Sequence, residues 1–242
     1  TTFGSSNFSG SIQSTVSANT TAGFSVVTFT ATSGTSSIGH GLGTTPSMII
    51  LKTINQTGGW VTGLSVLGWD KYLSLNGTSG STTDDRMFSP SAGTDPTSTL
   101  FWSNQAAIGN AGTMVAYCFA EIKGYSKFSS YIGNGQDTPN GVFTYLGFTP
   151  AFILIKATDS NSWVMVDNKR PADSNPVDDS LAADSTAAET TGNADTTFDF
   201  LSNGFRTNGN SGNNNSSGQE YIYMAFAEHP FVGSDGTPVT AR

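Results

Sequence analysis

The groups in this chain that could do acid–base, nucleophilic or metal chemistry are few: 18 Asp and Glu, two His and one Cys among 242 residues. The aspartates cluster as Asp84-Asp85, Asp178-Asp179 and the Asp195/Asp199 pair. Two carboxylates held across a sugar at a fixed separation can hydrolyse a glycosidic bond. Neither adjacent pair has a match in the other half of the chain, and all three clusters read as solvated loops. His40 sits in a Gly turn and His229 just past a strand, before Pro230. Neither has Cys or carboxylate companions at zinc-ligand spacing. Cys118 lies in an alternating apolar run, which makes it a buried inert thiol, and being alone it can form no disulfide within the chain. Asp-x-Asn-x-Gly calcium loops are absent, and the acidic stretch 173–199 leaves open only a loose oxygen-ligand site. Glu121 and Glu228 recur at equivalent strand ends, where pairing with a backbone group or a repeated Lys explains them better than catalysis. Glycine-rich turns here do not lead into helices, as phosphate loops, dinucleotide sites and nucleophile elbows require. No catalytic, cofactor-binding or metal residue is therefore assigned, no cofactor is expected, and ligand-binding residues are left unassigned.

The elements that carry these residues are duplicated. Leu42-Gly43-Thr44-Thr45-Pro46-Ser47-Met48-Ile49-Ile50-Leu51-Lys52 returns as Leu146-Gly147-Phe148-Thr149-Pro150-Ala151-Phe152-Ile153-Leu154-Ile155-Lys156. Trp60-Val61 returns as Trp163-Val164, and Phe101-Trp102-Ser103-Asn104 as Phe200-Leu201-Ser202-Asn203. Tyr117-Cys118-Phe119-Ala120-Glu121 returns as Met224-Ala225-Phe226-Ala227-Glu228. What repeats is strand cores and turns, so the duplicated object is a scaffold. Trp60 and Trp163 read as equivalent core anchors. Trp69 has no counterpart; it also reads as core, and it is the tryptophan better placed to meet a sugar ring or a partner chain.

Only 12% of residues are charged, the net charge is −8 and the sequence pI is about 4.5. Ten Lys and Arg spread along the chain make no basic stripe for nucleic acid and no grip on an anionic membrane. No apolar run approaches the roughly 20 residues of a membrane-spanning helix. The composition is rich in Ser, Thr, Asn and Gly, yet 16 Phe, 7 Tyr and 4 Trp punctuate it. Disordered chains lack such aromatics. The chain opens at Thr1 with neither an initiator Met nor a signal peptide, so it is expected to be a fragment, a processed product or the ordered part of a longer protein.

Gly23 to Ala31 alternates apolar and polar, as a half-buried strand does. Met48 to Leu51 is continuously apolar, as a strand covered on both faces is. Strands recurring at short intervals between turn signals predict an all-β fold, a duplicated β-sandwich of two similar halves with little helix. The one helical stretch predicted is Leu181 to Glu189. The expected organisation is an extended lead-in arm over 1–22, a first β-rich repeat over 23–129 and a second over 130–242. Polar loops are predicted at 76–98, 167–197 and Asn208 to Gly218.

Several long motifs resemble one family. They are Gly39-His40-Gly41-Leu42-Gly43 with Pro46 and Met48 to Lys52, Ala116 to Glu121 running into Gly124 to Phe128 and Tyr131 to Gly135, Phe200 to Phe205, and Tyr221 to Phe231. Together, over residues 8 to 242, they resemble a module of unknown biochemical function. That module is found near the carboxyl end of virion structural proteins, tail-fibre-like ones especially, in tailed phages of marine and other aquatic bacteria. The resemblance implies a phage particle, a β-rich fold and a distal or surface-exposed position. It carries no catalytic residues, and homotrimers are implied only by analogy with fibre modules.

The function expected first is that of a tail-fibre outer module contacting a host receptor or glycan through the three polar loops. A capsid decoration or tail-assembly protein, docked by Thr1 to Thr21, is the second reading, and a polysaccharide depolymerase the third. The expected partners are other virion proteins and further copies of the chain, at the particle surface, with no nucleic acid and no membrane insertion.

Overall fold

A computed structural model describes residues 4–84, 86–91, 93–104, 112–170 and 175–230. It divides the chain into two compact units, one of residues 1–75 and 81–121, the other of 76–80 and 122–242. The fold is all-β, with one three-residue 3-10 turn at Ser65–Leu67 as its only described helix.

In the first unit the strands are β1 (Ser5–Asn7), β2 (Ser14–Asn19), β3 (Phe24–Thr30), β4 (Thr35–Gly39) and β5 (Met48–Thr53). They continue as β6 (Trp60–Leu64), β7 (Lys71–Ser74), β8 (Thr82–Thr83), β9 (Leu100–Asn104) and β10 (Thr113–Phe119). Eight form an antiparallel sheet in the order β1-β2-β3-β10-β5-β6-β7-β8, and β4 pairs with β9 as a second layer. Alternation in β3 and β10 sends Val27, Phe29, Met114, Ala116 and Cys118 to one face, where they meet Ile38 and Phe101 of the second layer.

The second unit contains β11 (Ser126–Ile132), β12 (Phe143–Tyr145), β13 (Pro150–Ala157) and β14 (Val164–Asp167). It continues with β15 (Leu181–Ala182), β16 (Phe198–Leu201), β17 (Gly204–Thr207) and β18 (Glu220–Ala227). One sheet runs β11-β18-β13-β14-β15 and the other β12-β17-β16. The core between them holds Ile153, Ile155, Val166, Tyr221, Tyr223 and Ala225 from the first sheet and Phe198, Phe200 and Phe205 from the second. Each unit is thus a sandwich-like pair of layers.

Strand register gives the duplication a physical basis. Leu51 stands across from Ala116 on one side and Val61 on the other; Ile155 stands across from Tyr223 and Val164. The repeated segments therefore hold the same lattice positions, and Trp60 and Trp163 each fall one residue before the Val. Gly43 and Gly147 close the preceding turn with φ of 73° and 83°, a region that glycine enters without strain. Met48 to Leu51 are all buried, as the unbroken apolar run predicts.

The structure differs from the sequence reading in several elements. Residues 1–22 read from sequence as an extended lead-in arm, but β2 pairs along its length with β3, and β1 with β2. Val16 enters the core, so β1 and β2 belong to the first sheet. The boundary drawn at 129/130 would cut β11, which pairs along its whole length with β18; the units part at 121/122 instead. The helix over Leu181 to Glu189 is absent: Leu181–Ala182 is a strand, and Ser180 bridges to Thr190. Nine residues without a helical apolar face cannot offset the cost of helix nucleation. The Phe101–Asn104 and Phe200–Asn203 likeness is not a structural equivalence, because β4 pairs with β9 whereas β12 pairs with β17, not β16. The 76–98 segment is not a free loop either: Phe88 is fully buried, edge-on to Trp69 at 5.7 Å, and accepts the Trp102 N–H through its carbonyl at 3.2 Å.

Candidate functional site

The groups singled out for chemistry go mostly to local structure. His40 is fully buried in the turn after β4. Its Nδ1 accepts the Leu42 N–H at 3.2 Å, which leaves Nε2 to donate to the Thr97 carbonyl at 3.1 Å. Those partners select the neutral ring, and burial lowers its pKa from 6.5 against the smaller opposing effect of the Thr97 bond. A depressed folded pKa contributes stability that is present above the unfolded value and lost as pH falls through the folded one. Urea unfolding of the first unit, followed by tryptophan fluorescence, is therefore expected to weaken as pH drops below about 6.5. His40→Gln should flatten that dependence; an unchanged pH profile would show that the ring carries no linkage.

Cys118 is fully buried, and desolvation raises its pKa to about 12, so the thiol is inert. Asp84 is held by Arg86 through bonds of 2.9 and 2.8 Å, and that partner lowers its pKa; Asp85 lies outside the described residues. Asp179 accepts the Gly192 N–H at 3.0 Å, and the Asp178 carbonyl accepts that of Asn193 at 3.0 Å. Glu228 accepts from Asn168 at 2.8 Å with Lys169 at 3.8 Å, and the Glu121 N–H donates to Ser47 Oγ at 3.2 Å. Asp195 receives the Ser211 N–H on its carbonyl at 3.4 Å, away from the carboxylate role considered for it. His229 is exposed. Among the described residues no three His, Cys, Asp or Glu side chains gather as a metal site.

The tryptophans also settle into the scaffold. Trp69 and Trp163 are buried, while Trp60 is half-buried and stacks on Tyr117 at 6.2 Å. Lys156, the partner of Lys52 in the repeat, is fully buried and donates to the carbonyls of Ala157 at 2.7 Å and Asp159 at 2.6 Å. Desolvation lowers its pKa to about 8, with Asp159 and Asp184 opposing the shift.

The two other polar stretches are fastened down as well. In 167–197, Arg170 pairs with Asp167 at 2.7 Å and Glu189 at 3.5 Å, and Val177 enters the core. In Asn208 to Gly218, composition predicts a surface loop, yet Asn208, Asn214 and Asn215 are buried. Tyr131 Oη donates to the Asn214 carbonyl at 2.6 Å, and Tyr221 Oη to that of Gly212 at 2.9 Å. Asn215 Nδ2 donates to Asn134 Oδ1 at 3.1 Å and to the Gln136 carbonyl at 2.8 Å. Asparagine amides match backbone groups on both sides of a loop, which is how so polar a segment becomes rigid.

Beside this loop lies the most distinctive surface of the second unit. Phe143 and Tyr145 alternate with buried Thr144 on β12 and stand 47% and 62% exposed. Arg206 lies directly across from Phe143, and Gly204 across from Tyr145. The Arg206 guanidinium pairs with Asp199 and donates to Asn208 Oδ1 at 3.2 Å and the Pro139 carbonyl at 3.3 Å. Asn208 Nδ2 completes the cluster on Asp199 at 2.6 Å, and Asn210 reaches Asp137 at 3.1 Å. Asp199 is thus committed to an ion pair, not to a carboxylate dyad. Sequence reasoning passed over Phe143 and Tyr145. Their signal was present, since the repeat sets Phe-Thr-Tyr where the first copy has Gly39-His40-Gly41. The arrangement offers exposed rings and fixed donors, which can bind but supply no group for breaking a bond.

No curated protein and no solved structure matches the chain. A family model described as Domain of unknown function (DUF7483) matches residues 1–230, and the chain belongs to that family.

Proposed function

We propose that this chain is a structural protein of a phage virion, the outer module of a tail fibre that contacts the host cell surface without enzymatic action. The phage assignment draws on the motif resemblance above. The attachment role draws on one observation, the rigid loop-and-strand surface of the second unit. Binding function commonly resides in loops held by a firm scaffold, and here tyrosine hydroxyls and asparagine amides hold them. The decoration reading loses its main device, because the segment considered for docking is built into its own sheet. Against the depolymerase reading, the carboxylates of Asp84, Asp179 and Asp199 are engaged in a turn and in ion pairs.

Antibody raised against the purified chain tests this on tailed phages that carry this family's domain. Immunogold label at distal tail fibres, with at least about tenfold slower adsorption to host cells, is the expected result. Label on the capsid would favour decoration, and unlabelled particles would end the virion reading. A fibre module should also run as a trimer, near three times 25.2 kDa by light scattering.

A further inference from the structure

We propose that the Phe143–Tyr145 face of β12 is a stacking platform for a neutral pyranose. This rests on the attachment reading and names its ligand class. The two copies of the scaffold carry the argument. In the sequence repeat, Phe143 and Tyr145 align with Gly39 and Gly41 of the first unit. There a side chain would run into β1 and β2: a Cβ on Gly39 would collide with Asn7, and one on Gly41 would come within 2.7 Å of Val16. The scaffold thus folds with no side chain at either place. In the second unit the residues aligned with them by sequence are two large rings on the regular strand β12, left about half exposed. Neither ring belongs to the core, and each covers only a glycine, Gly204 or Gly147, so an outer aromatic face is left open to a ligand.

The chemistry around them selects the ligand. Side chains two apart on a strand project from one face about 7 Å from each other. That spacing suits a ring-sized ligand lying along the strand, its C–H face on the aromatic faces. Gly204, across from Tyr145, puts no side chain beside the ring; a Cβ there would collide with the Thr144 carbonyl and lie 3.2 Å from the Phe143 ring. Arg206 uses three of its five N–H groups on Asp199, Asn208 and Pro139, which fixes the guanidinium and leaves two N–H groups for ligand hydroxyls. Its charge is already balanced by Asp199, so a neutral sugar fits better than an acidic one. A protein partner fits less well. A standard interface needs about 800 Å² on each side around an apolar core, and here two rings stand beside an ion pair.

The test is an array of immobilised neutral hexoses, deoxyhexoses and N-acetylhexosamines, with short oligomers of each, probed with the whole purified chain. The wild type should bind at least one neutral sugar. Phe143→Ala and Tyr145→Ala should each weaken binding by about tenfold or more, while Tyr145→Trp keeps it. Both side chains are exposed, so thermal unfolding should stay unchanged and exclude misfolding as the cause. Silence of the wild type, binding to acidic sugars alone, or alanine variants that bind like wild type would overturn the platform. The adsorption assay separates this from the parent reading. If antibody blocks adsorption while the array is silent, the platform fails and attachment stands. If the array shows ring-dependent binding while antibody leaves adsorption untouched, sugar binding stands and attachment fails.

Discussion

Trp163→Ala is expected to remove about 3–5 kcal/mol from the second unit, whereas Trp60→Ala should cost the first unit about 1–2 kcal/mol. The two residues hold the same place in the repeat, one before the Val that faces Leu51 or Ile155. Their surroundings differ. Trp163 is 1% exposed, and its backbone N–H donates to Asp184 Oδ1 at 2.9 Å. Truncation there removes the whole indole from a dense interior and leaves a cavity that the antiparallel frame around it cannot close. Trp60 instead lies half-buried against Tyr117, with ring planes 22° apart, so solvent already covers part of it. Amide exchange read strand by strand assigns each loss to its unit: β13 and β18 report on the second, β5 and β10 on the first. Equal losses would mean that equivalent positions are equally packed and that the repeat, not burial, sets the cost.

The contrast marks how much of this molecule was legible in the sequence. Strand cores were legible because alternation and apolar runs are enforced by the pleat, and the copy-to-copy match of Leu42–Lys52 and Leu146–Lys156 marks the same central strand in both units, though only the second carries a bulge, at Pro150 to Phe152. Context was not. Trp60 and Trp163 share a motif, but their burial depends on residues far away in the chain. The segment 1–22 reads as a connector by composition, and only the pairing of Val16 with Val27 reveals a strand. Asn208 to Gly218 reads as a loose loop, and only Tyr131 and Tyr221, reaching from strands, show why it is firm. The candidate surface was hidden for a related reason. It holds no acid–base cluster or histidine pair but aromatics in a short strand whose alternation, Phe-Thr-Tyr, looks like ordinary sheet. What distinguishes them is exposure, together with the glycines in the sister copy.

Gly141→Ala is the second large effect expected, and it would reach the candidate surface through the backbone. Gly141 leads into β12, where the Thr207 N–H donates to the Val142 carbonyl at 3.0 Å and the Val142 N–H to Thr207 Oγ1 at 2.9 Å. A Cβ on Gly141 would collide with the Thr207 carbonyl oxygen and lie 2.7 Å from its carbon and 3.0 Å from its Oγ1. The obstacle is space alone: Gly141 is not among the glycines with positive φ, so its backbone suits any residue. Backbone atoms of a paired strand cannot swing aside as a flexible side chain can. The strain must therefore be relieved by parting β12 from β17. A cost of about 3 kcal/mol is expected, at the upper end of ordinary overpacking. Parting the strands would also separate Phe143 from Arg206, its cross-strand partner. Amide exchange should rise over Val142 to Tyr145 and Gly204 to Thr207, with β13 and β18 protected as before. If sugar binding is lost in this variant while both rings are still present, the platform depends on the register of β12 and not on aromatic content alone. A variant as stable as wild type, with unchanged exchange across β12, would show that the β12–β17 pair yields at Thr207 and that the close approach is not a constraint.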